Sequence, residues 1–283
     1  MLSSFLIKNK KQFMNVSIIV LAIIFVILYL IPIYWMIITS LKPEAESFTW
    51  PPNLFPTRVV LDNYKIAFGE KSILWYVKNS VIITVASVTL SMIIGSLAAY
   101  SFAYMRWREK IKTNILLYII GLRIMPPIAV AIPIFLIFAN LRMIDTYQGL
   151  IIAYTFFNLP FVIWLTYGFF KDLPSEIMDA AKIDGCGITK LFFKIIIPLT
   201  RSGLVTVILL TSMASWNEFL FAIKLTSFNT RTVPVLISGF IVDRGLLWGQ
   251  ICAVGTISII PVILIALFIQ KYIVSGLTFG SVK

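Results

Sequence analysis

Residues 173–203 have the sequence LPSEIMDAAKIDGCGITKLFFKIIIPLTRSG, a polar interruption between two apolar runs of membrane length. Pro174 suits the first turn of a helix, because the missing backbone N–H of proline would have no partner there. Glu176 and Asp179 follow where the positive end of a helix dipole favours carboxylates. The interruption therefore predicts a short helix that begins just after Leu173.

The Asp184-Gly185 pair predicts where this helix ends, because glycine adopts the left-handed backbone that often closes a helix. A second helix is expected to start near Thr189. The result is a helix–turn–helix set between two membrane spans. Ala180 and Ala181 are expected on its surface, where small side chains let another backbone approach closely.

This pattern resembles the signature loop of the permeases of binding-protein-dependent ABC importers. The matching residues are Asp179-Ala180-Ala181, Gly185, Ile195 and Ile197-Pro198. Asp179 stands where the family usually has Glu and Ile197 where it usually has Leu, which preserves charge and bulk. In that family the loop is the coupling helix, which docks into a cleft on a cytoplasmic ATPase subunit. The resemblance thus assigns ATPase coupling to Glu176, Asp179, Ala180, Ala181, Asp184, Gly185 and Pro198.

The composition of the chain indicates a membrane protein. Hydrophobic residues make up 59% of its 283 positions, and long runs carry no charge. The chain has no histidine and only two cysteines, which argues against histidine catalysis, proton relays and most zinc or haem sites. The net charge of +12 does not indicate nucleic-acid binding, because the basic residues lie in short loops beside the apolar runs.

Six apolar runs predict an all-α integral membrane protein with six transmembrane helices. The predicted spans are residues 16–41, 80–104, 115–140, 149–170, 203–222 and 251–270. Residues 1–15 form an N-terminal segment, and residues 16–283 form a single permease domain with the coupling loop at 173–201. The first run lacks the short core and cleavage site of a signal peptide, so it is expected to stay as a span.

The distribution of Lys and Arg predicts how these spans are oriented. With the amino terminus inside, the inner segments hold 14 Lys and Arg residues and the outer loops hold 9. The short inner loop at residues 105–113 carries four of them, and short loops have the greatest weight in the positive-inside rule. Both termini and the coupling loop are therefore expected in the cytoplasm.

Five further stretches extend the resemblance over nearly the whole chain, in the order that the family has. They are residues 40–68, 123–135, 144–154, 215–222 and 270–283. They are most similar to the smaller, maltose-type permease of the carbohydrate-uptake group. The resemblance implies the type I ABC importer permease fold, a bacterial-type inner membrane, and half of a translocation pathway for a sugar or oligosaccharide.

The same resemblance implies the partners of the chain. They are a second homologous permease, two cytoplasmic ATPase subunits and an extracytoplasmic sugar-binding protein. ATP and Mg²⁺ are used by the ATPase subunits, and this chain is expected to bind no cofactor. The sequence agrees on that point, because it contains no G-x-x-x-x-G-K-[ST] pattern for nucleotide phosphates.

Arg123 and Glu218 are candidates for the translocation path. A continuous third span places Arg123 roughly 15 Å deep, near the bilayer midplane, where a charge is costly and usually functional. Glu218 is expected roughly 25 Å from the cytoplasmic side. The two side chains meet only if Pro126 and Pro127 bend the third span. Two interpretations stay open: a structural buried ion pair, or residues that line the path.

Trp216 and Asn217 also have two interpretations. A stacking ring and a hydrogen-bonding amide suit a sugar, and both suit helix packing near the membrane interface equally well. Asp184 is expected to turn a helix rather than bind a metal, so no metal site is predicted. The chain has no Cys–His or Ser–His–Asp constellation, so it is not expected to be an enzyme.

The main alternative is a secondary transporter or channel that works alone. That class predicts ionisable residues in several spans and often an inverted repeat, whereas this sequence has one midplane Arg, one outer Glu and no clear repeat. A membrane assembly protein is a third class, and the match to the coupling loop disfavours it. Co-purification separates the three, because an ATPase accompanies only an importer permease.

Overall fold

The computed structural model describes residues 2–69, 72–242 and 245–279, and most of them are helical. In chain order the helices are α1 (Leu2–Ser40), α2 (Asp62–Ala67), α3 (Ile73–Tyr104), α4 (Glu109–Leu122), α5 (Pro127–Asn140), α6 (Tyr147–Lys171), α7 (Ser175–Ile183), α8 (Ile188–Leu199), α9 (Arg201–Trp216), α10 (Leu220–Leu225), α11 (Val233–Ser238) and α12 (Trp248–Phe279). Two short antiparallel strands, β1 (Ile241–Val242) and β2 (Gly245–Leu246), form a hairpin before α12.

Within the described ranges, four helices are long and apolar enough to cross a membrane by themselves: α1, α3, α6 and α12. Two further pairs pass the same test only as pairs, α4 with α5 and α8 with α9. The helices of the first pair are bent by 87° and those of the second by 78°. With each pair counted as one span, the total is six, and the predicted all-α six-span fold is confirmed.

The chain divides into two compact units by its internal contacts. The larger unit comprises Lys71–Gly239 and Ser258–Lys283, and it contains the coupling loop. The smaller unit comprises Met1–Glu70 and Phe240–Ile257, with α1, α2 and the start of α12.

α3 and α6 form the centre of the larger unit and pack in parallel. Contacts along the pair keep a nearly constant offset: Tyr147 donates to Asn79, Thr155 donates to Ser87, and Val162 faces Gly95. A Cβ at Gly95 would lie 2.6 Å from Cγ1 of Val162, so glycine is what allows this close approach. Because the two helices run in the same direction, their amino-terminal ends share one side of the unit and their carboxyl-terminal ends the other.

The predicted span at residues 115–140 is divided into two helices. α4 ends at Leu122, and α5 begins at Pro127 after a sharp bend. Pro126 and Pro127 lack N–H donors, and a proline also disfavours helical geometry at the residue before it. Arg123 therefore lies at the end of a helix, and the depth expected from a continuous span does not apply to it.

The predicted span at residues 203–222 contains a second break. α9 ends at Trp216, and α10 begins at Leu220. The side-chain amide of Asn217 donates to the Met213 carbonyl at 2.9 Å and so occupies one of the free carbonyls at the end of α9. Glu218 lies in the break rather than within a helix.

Side chains of the smaller unit hold the loop that follows α1 to the starts and ends of its helices. The buried amide of Asn63 donates to the carbonyls of Ser40 and Lys42 at 3.0 and 3.1 Å. The Glu44 carboxylate accepts the backbone N–H of Trp248 at 2.9 Å, at the start of α12. Carboxylates at that helix end are favoured by the helix dipole, so this contact fixes where α12 begins.

Candidate functional site

The coupling loop consists of α7 and α8 joined by a tight turn. Gly185 has a φ of 73°, in the left-handed region that glycine adopts without strain. The Cys186 N–H donates to the Ala181 carbonyl at 2.9 Å across this turn, which is the bond of a glycine-closed helix end. The structure thus contains the helix–turn–helix that the sequence predicts.

The loop is attached to the carboxyl-terminal ends of α3 and α6 by a buried cluster. Its members are Ala99, Tyr100, Phe170, Met178, Ala181, Leu191, Phe192, Ile196 and Leu204. The Tyr100 hydroxyl donates to the Ile188 carbonyl at 3.1 Å, and the Tyr104 hydroxyl donates to the Phe170 carbonyl. These bonds join α3 to the start of α8 and to the end of α6.

A π-helical turn at Phe192–Ile196 interrupts α8 just before Pro198. Proline has no backbone N–H with which to continue the α-helical ladder, and π turns are frequent at functional sites. Pro198 itself is exposed, whereas Phe192 and Ile196 of the π-helical turn belong to the buried cluster.

Most of the coupling residues that the sequence predicts on the surface of the loop are exposed in the structure. Glu176, Asp179, Ala180, Asp184 and Gly185 are exposed. Ala181 is not, because only 4% of its surface is accessible. The residue lies three positions after the buried Met178, on the same helix face. The expectation that Ala181 lies on the surface is therefore wrong, and its small side chain serves the packing of the loop itself.

A cavity of about 310 Å³ lies in the larger unit, beside the break between α4 and α5. Most of its lining is apolar, and its polar or charged lining residues are Arg123, Tyr154, Asn158, Ser215 and Glu218. Cavities of this size with a few converging polar groups are typical of small-molecule sites. Trp216 and Asn217 are not among the lining residues.

Arg123 is held at the edge of the cavity by α6. Its guanidinium donates to the Phe157 carbonyl at 3.2 Å and lies 4.7 Å from the centroid of the Phe161 ring. The first contact satisfies a backbone carbonyl, and the second is a cation–π contact. Together they fix the side chain, and no carboxylate of the described residues forms an ion pair with it.

Glu218 is bound by backbone groups. Its carboxylate accepts the N–H groups of Phe221 and Ala222 at 2.9 and 3.1 Å, at the start of α10. The Tyr154 hydroxyl donates to the Glu218 backbone carbonyl at 3.2 Å. In the part of the chain that the structure describes, Arg123 and Glu218 line one cavity but do not form an ion pair.

The sequence interpretation missed Asn158 and Ser215, which link α6 to α9 inside the cavity wall. The Asn158 amide donates to the Ser215 hydroxyl at 2.8 Å, and both residues are buried. The signal that was overlooked is the amide of Asn158 in the middle of an otherwise apolar span, because such a group needs a partner in lipid.

Residues 91–279, which include the coupling loop and the cavity, match the family of binding-protein-dependent transport system inner membrane components. The chain belongs to this family. The permease is 35% identical over 273 residues to the trehalose/maltose transport system permease protein MalG of Thermococcus litoralis, a match covering 95% of this chain and 97% of the relative.

Two solved structures share the fold of the permease. One is a bacterial ABC transporter that imports the acidic polysaccharide alginate, with a TM-score of 0.72, 25% identity, and coverage of 92% of this chain and 96% of that chain. The other is a bacterial alginate ABC transporter in complex with a pentasaccharide-bound periplasmic protein. Its TM-score is 0.65 at 12% identity, with 93% and 94% of the chains covered. The permease is thus a multi-pass inner-membrane subunit with the type I ABC importer fold.

Replacing Arg123 by Ala is expected to lower transport several-fold and to leave assembly intact. Among the described residues its guanidinium binds one carbonyl and one ring, so its loss changes the cavity more than the fold. Uptake normalised to assembled complex measures the effect. If Arg123→Ala, Glu218→Ala and the double variant all transport like the wild type, neither residue acts in the path.

A further anchor, Asp145, lies at the other end of the α3–α6 pair. Its carboxylate accepts the backbone N–H groups of Ser227, Phe228, Asn229 and Thr230 at 3.0 to 3.2 Å. It also accepts hydrogen bonds from the side-chain amide of Asn229 and the hydroxyl of Thr230. This cage fixes Thr226–Thr232 beside the start of α6. We call these residues the outer segment, because the distribution of Lys and Arg predicts that they lie outside.

The hydrogen bonds around Asp145 predict how the outer segment responds to acid. Partial burial raises the pKa of this carboxyl, but the four backbone N–H donors lower it more, to about 2 from 3.8. A depressed pKa stabilises the fold above the unfolded value, and this stabilisation is lost as the pH falls through the folded value. Pepsin is therefore expected to spare the outer segment at about pH 4 and to cut it near pH 2.

The matched variant is Asp145→Asn, which keeps the size of the side chain and cannot titrate. Its outer segment should be cut to the same extent at both pH values, and faster than the wild type at the higher one. Cleavage of the wild-type segment that begins above the unfolded pKa would contradict this account.

Proposed function

We propose that this permease forms half of the translocation pathway of an ATP-driven importer for a sugar or oligosaccharide. In this proposal it pairs with a second, homologous permease, and two cytoplasmic ATPase subunits drive the cycle. An extracytoplasmic sugar-binding protein delivers the cargo. The ATPase subunits bind ATP and Mg²⁺, and the permease supplies the path and the contact that couples it to hydrolysis.

The observation that carries this proposal is the construction of the coupling loop. α7 exposes Glu176, Asp179 and Ala180 on one face, and its other face is packed onto the ends of α3 and α6. An exposed helix fixed to two membrane-spanning helices suits the transfer of motion from a soluble partner. The excess of Lys and Arg in the inner segments supports a cytoplasmic position for this loop and for both termini.

The chemistry of the cavity supports a neutral, hydroxyl-rich cargo. Its two charged side chains are already engaged, Glu218 with backbone N–H groups and Arg123 with a carbonyl and a ring. The remaining polar groups are an amide and hydroxyls among apolar walls. A sugar ring has an apolar face and hydroxyls at its edge, which match such a lining. The trehalose/maltose transport system of a similar permease agrees with this cargo class, whereas the transporter of similar fold imports a saccharide that is acidic.

In the proposed cycle, closure of the ATPase subunits moves α7. The buried cluster and the Tyr100 and Tyr104 bonds pass this motion to α3 and α6. The cavity beside α6 then changes the side of the membrane to which it opens. Sugar delivered from outside is released inside when the coupling loop returns.

The test is reconstitution of the permease with the subunits that co-purify with it. Uptake of sugars from a panel of binding protein–sugar pairs should require ATP inside the vesicles and the binding protein outside. The wild-type complex should hydrolyse ATP faster in the presence of the correct pair. Sugar uptake by the permease alone, without ATP, would refute the proposal in favour of a stand-alone transporter.

A further inference from the structure

The outer segment, Thr226–Thr232, is held by a second anchor besides Asp145. The Asn79 amide on α3 donates to the carbonyls of Asn229 and Arg231 at 3.2 and 3.0 Å. Its amide oxygen accepts the Tyr147 hydroxyl of α6 at 2.6 Å. Asn79 is fully buried, so both donors and the acceptor of its side chain are used inside the protein.

The hydroxyl of Ser80 adds a third contact next to Asn79. It accepts the Val233 N–H at 2.9 Å, at the start of α11. The outer segment is therefore bonded to α3 by Asn79 and to the turn before α6 by Asp145, and Ser80 holds the residue that follows the segment. A loop with so many fixed backbone groups has little freedom to move independently of these two helices.

The same two helices carry the coupling loop at their opposite ends. α6 has 25 residues, so about 37 Å separates the outer segment from the coupling loop along its axis. α3 and α6 keep their parallel register over this length, and Val162 leaves no space at Gly95 for them to slide. The outer segment, the helix pair and the coupling loop are thus joined as one body.

The outer segment also presents side chains to the outside. Phe228 is 66% exposed, and Asn229 is exposed beside it. An aromatic ring on a rigid loop is the type of group that often dominates the energy of a protein–protein contact. Little ordering entropy is lost when a partner binds a preorganised loop.

We propose that Asn79 and Asp145 are positioning residues that hold the outer segment as a contact for the extracytoplasmic binding protein, so that binding there is transmitted through α3 and α6 to the coupling loop. This inference rests on the proposed function, because it names the element through which the binding protein acts. It adds that the signal depends on the anchors of the segment as well as on the exposed residues that touch the partner.

The test compares two buried asparagines whose side-chain amides each donate to two backbone carbonyls. Asn79→Leu removes an amide that holds two backbone carbonyls of the outer segment, and Asn63→Leu removes the same arrangement in the smaller unit. Each variant is purified as the full complex in nanodiscs. ATP hydrolysis is measured alone and with the sugar-loaded binding protein that supports uptake by the wild type.

Asn79→Leu is expected to keep basal hydrolysis within about twofold and to lower its stimulation by the binding protein at least about fivefold, the lower end of typical coupling between sites. Asn63→Leu should retain the stimulation. Asp145→Asn provides a second disturbance of the same segment, should Asn79→Leu fail to assemble, and it should lower the stimulation in the same direction.

Normal stimulation in Asn79→Leu or Asp145→Asn complexes would overturn the inference. So would an equal, parallel loss of basal and stimulated hydrolysis, because that pattern indicates a role in stability alone. If the proposed function is wrong, the result differs: the wild-type complex has no ATPase activity that a binding protein could stimulate. The binding protein would then no longer be a partner of the outer segment.

Discussion

Gly149→Ala adds one methyl group, and the amount of assembled permease in the membrane is expected to fall several-fold or more. A Cβ at this position would lie 2.2 Å from the Met143 carbonyl oxygen and 3.3 Å from Oγ1 of Thr146. Carbon and oxygen atoms that are not bonded rarely approach within about 3.3 Å. Because the nearer atom is backbone, no side-chain rotation relieves the contact.

The Met143 carbonyl is fixed by its own bonds. It accepts the Thr146 hydroxyl at 2.8 Å, and that hydroxyl accepts the Gly149 N–H at 3.1 Å. The methyl group therefore has to open the turn between α5 and α6. We expect a loss above the ~1–3 kcal/mol of ordinary overpacking, and losses of even ~1–2 kcal/mol change cellular abundance several-fold.

Gly168→Ala is the matched control, on the same helix. A Cβ there meets nothing within 4 Å, and alanine is favoured over glycine in a helix by about 1 kcal/mol. Thermal stability of the detergent-solubilised permease and its level in membranes measure both variants. Wild-type behaviour of Gly149→Ala would show that the turn before α6 is not built as described.

Ala181→Trp is expected to abolish ATPase association and sugar uptake. The structure places Ala181 inside the cluster that attaches the coupling loop to α3 and α6. An indole there has to push α7 away from the helices beneath it, at a cost of at least ~1–3 kcal/mol. In its displaced position, α7 no longer presents its exposed face in the orientation that the ATPase subunit binds.

Ala180→Trp distinguishes the packing of α7 within the permease from its docking to the ATPase, because Ala180 is exposed. It should leave the thermal stability of the isolated permease unchanged and still weaken co-purification of the ATPase. Ala181→Trp should lower both. If the two variants show the same stability and both bind the ATPase normally, α7 is not the coupling contact.

The sequence predicts the helical parts of the fold well because lipid imposes a simple rule. A span must be a run of apolar residues in which every backbone group is bonded internally. The sequence also predicts the helices and turn of the coupling loop, because its acidic residues, its alanines and Gly185 are local signals. The positive φ of Gly185 is where such a signal and the structure agree.

The sequence does not predict the long-range contacts. Nothing near Asp145 indicates that it binds backbone groups 82 to 85 residues away. The burial of Ala181 depends on which face of α7 meets α3 and α6, and both alanines suit either face. Pro126 and Pro127 marked a possible bend, but an angle of 87° is set by how α5 packs against α6 and α10.

The parallel register of α3 and α6 also determines the order in which the nascent chain becomes stable. α3 carries a polar stripe of Asn79, Ser80, Thr84, Ser87 and Ser91, all buried in the finished protein. Tyr147, which covers the first of them, is synthesised 68 residues later. At roughly 5–20 residues per second, translation leaves this stripe without its helical partner for several seconds. During that interval the polar face of α3 lacks the helix that covers it in the folded permease, and lipid is an unfavourable surface for that face.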